Sequence, residues 1–134
     1  MKANNFKFVI PFLAWFLLAG CLDAKQDSAI YKAEDVRIFD RIASKAEKKK
    51  WDKLPFNQMI AKIGIEFAGT PYEGGTLESP GPEACTINLR GLDCVTFYET
   101  VLGMARIFSR GEYDFQKLID EIIFMRYRNG KIDD

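Results

Sequence analysis

In the stretch Gly91-Leu92-Asp93-Cys94-Val95-Thr96-Phe97, a cysteine follows a predicted turn and lies at the start of a predicted helix. Asp93 can cap the N-terminus of this helix, because aspartate is among the preferred capping residues. Apolar residues at helical spacing then continue as far as Gly111. The unpaired backbone N–H groups and the positive dipole end of a helix start stabilise a thiolate. The pattern therefore indicates a nucleophilic thiol at Cys94.

The chain contains no histidine. A thiolate that hydrolyses an amide needs a group that takes and returns a proton, and this group is usually an imidazole. Lysine, arginine and carboxylate side chains are present, but the sequence marks none of them as a base. The residues around Cys94 therefore form half of an active site, and we expect this chain alone not to hydrolyse amide bonds.

The N-terminus carries an export pattern. Lys2 and Lys7 precede an apolar run of 12 residues over 8–19, which is shorter than the roughly 20 residues that span a bilayer. The small residues that close the run before Cys21 resemble the bacterial lipobox. We expect residues 1–20 to be a lipoprotein signal peptide and Cys21 to carry lipid, which holds the protein on the cell envelope; an ordinary secretory signal is the alternative.

The remainder has the size of one small domain. Residues 21–33 are polar and without period, which is typical of a tether, and residues 34–134 form the domain. The 19 basic residues balance the 19 acidic ones, so charge gives no case for nucleic acid as a partner. Five lysines between residues 45 and 53 suit the C-terminal end of a helix dipole, and we expect a solvated helix end there.

Hydrophobic spacing predicts mostly helices. Helices are expected over residues 34–49, over 59–68 after Pro55, from 94 to 111, and from 114 to about 129. Prolines and glycines crowd residues 70–90, where only 84–89 permit a short strand. The inward face of the helix that begins at Cys94 is predicted to comprise Val95, Tyr98, Val101, Leu102 and Ala105.

Cys85 and Cys94 are the two cysteines of the expected domain. In an exported protein they could form a disulfide, which would remove the nucleophile. The turn and helix around Cys94 favour a presented thiol instead, and Cys85, in an apolar strand, is expected to be a small buried residue. Two cysteines without histidine or paired spacing form no recognisable zinc site, so no metal and no cofactor are expected.

Two blocks of the sequence carry a family resemblance. Gly69-Thr70-Pro71-Tyr72 followed by Gly74-Gly75, and Leu92-Asp93-Cys94 some 20 residues later, are similar to the papain-like cell-wall peptidases of the NlpC type. Residues 74–78 and 88–97 together resemble one branch of that group more closely, the N-acetylmuramoyl-L-alanine amidase-like family. The resemblance covers about residues 54–130 and implies an α+β, papain-like fold.

This resemblance implies a cysteine amidase that acts on peptidoglycan, with a stem peptide or muropeptide as its partner. Cys94 would attack an amide carbonyl, and the backbone N–H of Cys94 is a candidate donor to the oxyanion. Tyr72 matches a tyrosine that lies near the nucleophile, where its phenol could contact substrate or oxyanion; the alternative is a buried aromatic that braces the loop. Asn88 and Arg90 are expected to hydrogen-bond the loop rather than the substrate.

Members of the family place the catalytic histidine on a strand that follows the last helix predicted here. The resemblance therefore implies an N-terminal, incomplete domain in which the helical half dominates and most of the sheet is absent. Two other functions stay open: an endopeptidase of the same fold that cuts within the stem peptide, and a catalytically inactive envelope lipoprotein that binds cell-wall peptide.

Overall fold

The computed structural model describes residues 29–78 and 81–132 as four helices and two very short strands. In chain order the regular elements are β1 (Ala29–Ile30), α1 (Ala33–Lys48), α2 (Phe56–Glu66), β2 (Cys85–Thr86), α3 (Cys94–Ser109) and α4 (Phe115–Arg126). Short 3-10 turns follow α1 and α4. The result is a mostly helical chain with a small parallel sheet, which agrees with the α+β class predicted from sequence.

The first two helices form where apolar residues recur at helical spacing. The predicted bounds of α1 agree with the structure within one residue at each end, and its apolar stripe is buried at Phe39, Ile42, Ala43 and Ala46. Pro55 immediately precedes α2, where its fixed φ suits the helix start and its missing N–H costs no helical hydrogen bond. The lysines at the end of α1 form an exposed helix end, as expected, with Lys45 paired to Glu66.

The second strand is shorter than the sequence predicted: two residues form it, whereas residues 84–89 were expected. Only Cys85 and Thr86 are strand residues, and they pair in parallel with Ala29 and Ile30. The backbone N–H of Ile87 adds one bond of 2.9 Å to the carbonyl of Ile30. The strand β1 therefore lies within residues 21–33, which sequence assigned to a tether.

Helices α3 and α4 pack closely and complete the core. A Cβ placed on Gly103 would lie 3.1 Å from Leu118 Cδ1, so the absence of a side chain lets the two helices approach. Four residues of α4 are buried against this contact, namely Leu118, Ile119, Ile122 and Ile123. The last two predicted helices thus form, and the predicted inward face of α3 is confirmed at Val101 and Ala105.

One part of that prediction is wrong. Val95 and Tyr98 were expected to face the core, but their side chains are 50% and 62% exposed. The first turns of α3 instead bury Thr96 and Glu99, because the cap and an ion pair to α4 occupy the inner side. The apolar residues at the start of α3 therefore lie on the surface beside Cys94.

The expected signal peptide, residues 1–20, and the expected lipid-bearing Cys21 lie outside the described residues. Among residues 29–78 and 81–132, every helix is too short or too polar to cross a membrane.

Candidate functional site

A reciprocal cap fixes the start of α3 and hence the position of Cys94. Asp93 has extended backbone angles, and its Oδ1 accepts the backbone N–H of Thr96 at 2.8 Å. The Asp93 N–H in turn donates to Thr96 Oγ1 at 2.9 Å. These hydrogen bonds from Thr96, first the backbone one and then the hydroxyl one, lower the pKa of Asp93. Cys94 is the first residue of the helix, as the sequence predicted.

The thiol of Cys94 is exposed, whereas Cys85 is fully buried. No disulfide joins these two cysteines, so the pairing that would have removed the nucleophile is not present. Arg126 Nη1 lies 3.8 Å from Cys85 Sγ, which adds a polar contact to the buried position predicted from sequence. Of the two thiols, Cys94 is the one that a substrate can reach.

The loop that carries Tyr72 runs beside the residues that lead to Cys94. The Leu92 N–H donates to the Pro71 carbonyl at 3.0 Å, and the Glu73 N–H donates to the Leu92 carbonyl at 3.3 Å. Tyr72 and Leu92 thereby form an isolated parallel bridge. The two sequence blocks that carry the family resemblance are therefore neighbours in space, and Tyr72 pairs with the residue two positions before Cys94.

The Tyr72 side chain is 78% exposed, which excludes the alternative of a buried aromatic bracing the loop. Its ring lies over Gly74, where an added Cβ would come within 3.7 Å of Tyr72 Cε1. The exposed side chains of Val95, Phe97 and Tyr98 follow Cys94 on α3; we call these three residues the apolar rim. The ring of Phe97 makes an edge-to-face contact with the buried ring of Phe67, with ring centroids 6.4 Å apart.

Glu73 is a site residue that the sequence did not reveal. Its side chain crosses Gly91, where an added Cβ would collide with Glu73 Oε2 and Cβ, so a larger residue at this position would have to displace Glu73. Asn88 Nδ2 donates to the same oxygen at 2.9 Å. No local signal in the sequence marks Glu73, because its contacts join segments 15 or more positions apart in the chain.

A buried carboxylate ties α1 to the loop before Cys94. Asp35 is fully buried, and its Oδ1 accepts the Leu89 N–H at 2.8 Å and the Arg90 Nε at 3.0 Å. Its Oδ2 accepts the Lys32 N–H at 2.8 Å. The expectation that Arg90 bonds loop carbonyls is therefore wrong, because Arg90 pairs with Asp35 of α1. Asn88 does serve the loop, since its Oδ1 accepts the Arg90 N–H at 3.2 Å.

A second ion pair secures the inner side of α3. Arg126 Nη2 lies 2.6 Å from Glu99 Oε2, and Arg126 Nη1 donates to the Thr86 carbonyl at 3.0 Å. Both side chains are largely buried. Through these two contacts Arg126 of α4 is linked to α3 and to β2. Glu99 is thereby held on the buried side of α3, whereas Cys94 is exposed.

Among the residues that the structure describes, no cluster of three or more cysteine, aspartate or glutamate side chains could hold a metal ion. The chain has no imidazole. The arrangement thus provides a reachable thiol, helix-start N–H groups and an adjacent phenol, and it can bind an acyl group at a carbonyl carbon.

These features define a small α+β protein that presents a cysteine at a helix start. The family model described as AmiA-like, N-acetylmuramoyl-L-alanine amidase-like, matches residues 62–134. The chain belongs to this family, and at the family level its function is that of a peptidoglycan amidase-like protein. The search of curated proteins found no match for this chain, and neither did the search of solved structures.

Proposed function

We propose that this chain supplies the nucleophile of a cysteine amidase that cleaves the amide between a muramoyl group and L-alanine. The single observation that carries the proposal is the exposed Cys94 at the first position of α3, inside the segment that matches the amidase-like family. The family description favours this amide over the amide bonds within the stem peptide.

The proposed reaction has two acyl-transfer steps. The Cys94 thiolate attacks the lactyl carbonyl carbon, and the tetrahedral oxyanion collapses to a thioester as the protonated amine of L-alanine leaves. Water then hydrolyses the thioester and restores the thiol. The backbone N–H of Cys94 belongs to the first helical turn, where such groups lack helical acceptors, and it is our candidate oxyanion donor.

The proton transfers need a base that these 134 residues do not offer as an imidazole. We therefore assign the nucleophile, and not the base, to this stretch of chain. We also propose the papain-like, NlpC-type arrangement for the domain; the tyrosine loop that lies beside the helix bearing the cysteine supports this proposal.

Tyr72 and the apolar rim are the proposed substrate contacts. Exposed aromatic side chains on the helix and the loop that meet near Cys94 suit the apolar face of a sugar ring, and a phenol can donate to a carbonyl or oxyanion. We further propose that the protein acts at the cell envelope, held to a membrane by lipid on Cys21. The proposed partner is a muropeptide, and the balanced charge of the chain gives no case for a nucleic acid.

Protection of the thiol by a muropeptide tests this proposal. The full chain is treated with iodoacetamide, with and without N-acetylmuramoyl-L-alanyl-D-isoglutamine, and alkylation of Cys94 is followed by peptide mass spectrometry. We expect slower alkylation in the presence of the muropeptide and no effect of N-acetylglucosamine. An unchanged alkylation rate at saturating muropeptide would contradict the proposal, and buried Cys85 reports in the same spectra whether the chain stayed folded.

A further inference from the structure

A cleft of about 220 Å³ lies next to the loop that leads to Cys94. The segment from Ile30 to Lys32 forms the first wall, and the rest of the lining comes from Glu73, Thr76, Thr86, Ile87, Asn88 and Arg90. The first wall lies outside the residues that match the family model. The cleft is therefore formed jointly by the matched segment and by a part of the chain that precedes it.

The polar groups of this cleft are incompletely satisfied. Thr76 Oγ1 is enclosed and has no hydrogen-bond partner among the described residues. The Lys32 backbone is bonded to Asp35, but the Lys32 ammonium makes no ion pair with any described residue. Arg90 uses its Nε for Asp35, which leaves its two terminal nitrogens available. Among the described residues, the Lys32 ammonium, the terminal nitrogens of Arg90 and the Thr76 hydroxyl thus have no acceptor, although the guanidinium of Arg90 is already paired with Asp35 through Nε.

The two carboxylates nearest these donors are already hydrogen-bonded. Asp35 is buried and fully engaged by three donors. Glu73 lines the cleft and is held by Asn88, and it can accept a backbone N–H from a bound peptide. A peptide with a free carboxylate matches this lining, with its carboxylate toward Lys32, Arg90 and Thr76 and its N–H toward Glu73.

The position of the cleft fits the proposed reaction. Cys94 is four positions after Arg90, and four residues span at most roughly 14 Å when fully extended. A carboxylate at the cleft would therefore belong to a residue within about four positions of the scissile amide. We infer that this cleft is a specificity site for a carboxylate on the peptide part of the substrate; the inference rests on the proposed function.

Paired ligands test the inference. N-acetylmuramoyl-L-alanyl-D-glutamate and its diamide, in which both carboxylates are carboxamides, are titrated into the full chain, and each dissociation constant is measured by NMR. We expect the acid to bind roughly tenfold more tightly than the diamide, as for a charge-assisted hydrogen bond. Equal binding of the two ligands would overturn the inference and leave the proposed function standing.

Matched variants locate the effect. Lys32→Gln and Thr76→Val remove a cation and a donor without leaving a buried charge, and each should reduce the preference for the acid by roughly threefold or more. Lys49→Gln, at the far end of α1, should leave the preference unchanged. A preference that survives Lys32→Gln and Thr76→Val together would overturn the inference. If neither ligand binds or protects Cys94, the inference and the proposed function both fail.

Discussion

At the scale of single residues, the site depends on positions where one side chain fixes another. Asp93 and Thr96 cap each other, and Glu73 fits only because Gly91 has no side chain. Neither arrangement involves the sulfur of Cys94, but together they fix the positions of Cys94 and of the loop that carries Tyr72. Substitutions at these positions should therefore change stability and site geometry together.

Replacing Asp93 by alanine should destabilise the start of α3. The side-chain oxygen that accepts the Thr96 N–H would be lost, while Asp93→Asn retains an acceptor and should cost less. Urea denaturation of the two variants beside the unmodified chain measures the difference. Equal midpoints for Asp93→Ala and the unmodified chain would show that the cap contributes nothing.

The lowered pKa of Asp93 predicts how the stability of the folded chain changes with pH. A carboxylate whose pKa is lower in the folded state adds stability above its unfolded pKa, and that stability is lost as the pH falls through the folded value. Asp93→Asn should therefore show a weaker loss of stability between about pH 5 and pH 3 than the unmodified chain. Parallel denaturation curves at several pH values measure it, and an identical pH dependence would contradict the expectation.

Gly91→Ala should cost about 1–3 kcal/mol of unfolding free energy, because the new Cβ would collide with Glu73. Glu73→Gly removes both of the closest atoms, so the double variant should recover part of the loss. A double-mutant cycle by chemical denaturation gives the coupling between the two positions. Additive effects of the two substitutions would mean that the close approach does not constrain the loop.

At the scale of elements, buried ion pairs hold α1, α3 and α4 around the loop that precedes Cys94. Asp35 joins α1 to residues 89 and 90, and Arg126 joins α4 to α3 and β2. Because removing one partner leaves a buried group without its counterpart, these links should be costly to break.

Asp35→Asn tests the first link. The substitution leaves Arg90 without its anion and replaces acceptors by an amide, and we expect a loss of about 3 kcal/mol in unfolding free energy. Glu34→Gln, which breaks the exposed pair with Arg37 on the same helix, should change stability by less than about 0.5 kcal/mol. Similar effects of the two substitutions would contradict the structural role assigned to Asp35.

The elements that sequence predicted well are those with local signals. Periodic apolar residues, Pro55 and the capping residue Asp93 located the helices within a few residues, because these signals act within a turn or two of helix. The strand over residues 84–89 was predicted too long, since Ala29–Ile30 offers it only two partners. The face of α3 was predicted wrongly at Val95 and Tyr98, because the distant Arg126 draws Glu99 inward.

The features of the candidate site also divide into those that local sequence signals predicted and those that they did not. Cys94 at a helix start and its proximity to the Tyr72 loop were accessible from motifs. The Glu73–Gly91 contact and the cleft walled by Ile30 to Lys32 were not, because they join segments far apart in the chain. Side-chain pairs of that kind have no periodic or local signature.

At the scale of the whole molecule, the helical core positions a helix start and a neighbouring loop on which a thiol, a phenol and the apolar rim are exposed. No imidazole accompanies them in these 134 residues. The chain therefore has the means to attack a carbonyl, but it lacks the usual means of protonating an amine leaving group.

This combination predicts that the chain alone shows no amidase turnover on muropeptides. Chromatography of N-acetylmuramoyl-L-alanyl peptides incubated with the protein should detect no release of L-alanyl peptide. Turnover that Cys94→Ser abolishes would show that another group serves as the base.

The central claim is that Cys94 is the nucleophile for a muramoyl group. The most direct measurement is intact and peptide mass spectrometry of the full chain after reaction with the p-nitrophenyl ester of N-acetylmuramic acid, whose leaving group departs without a proton. We predict a muramoyl thioester on Cys94, formed faster than with p-nitrophenyl acetate and absent in Cys94→Ser. Acylation that shows no preference for the muramoyl ester, or that spares Cys94, would contradict the account.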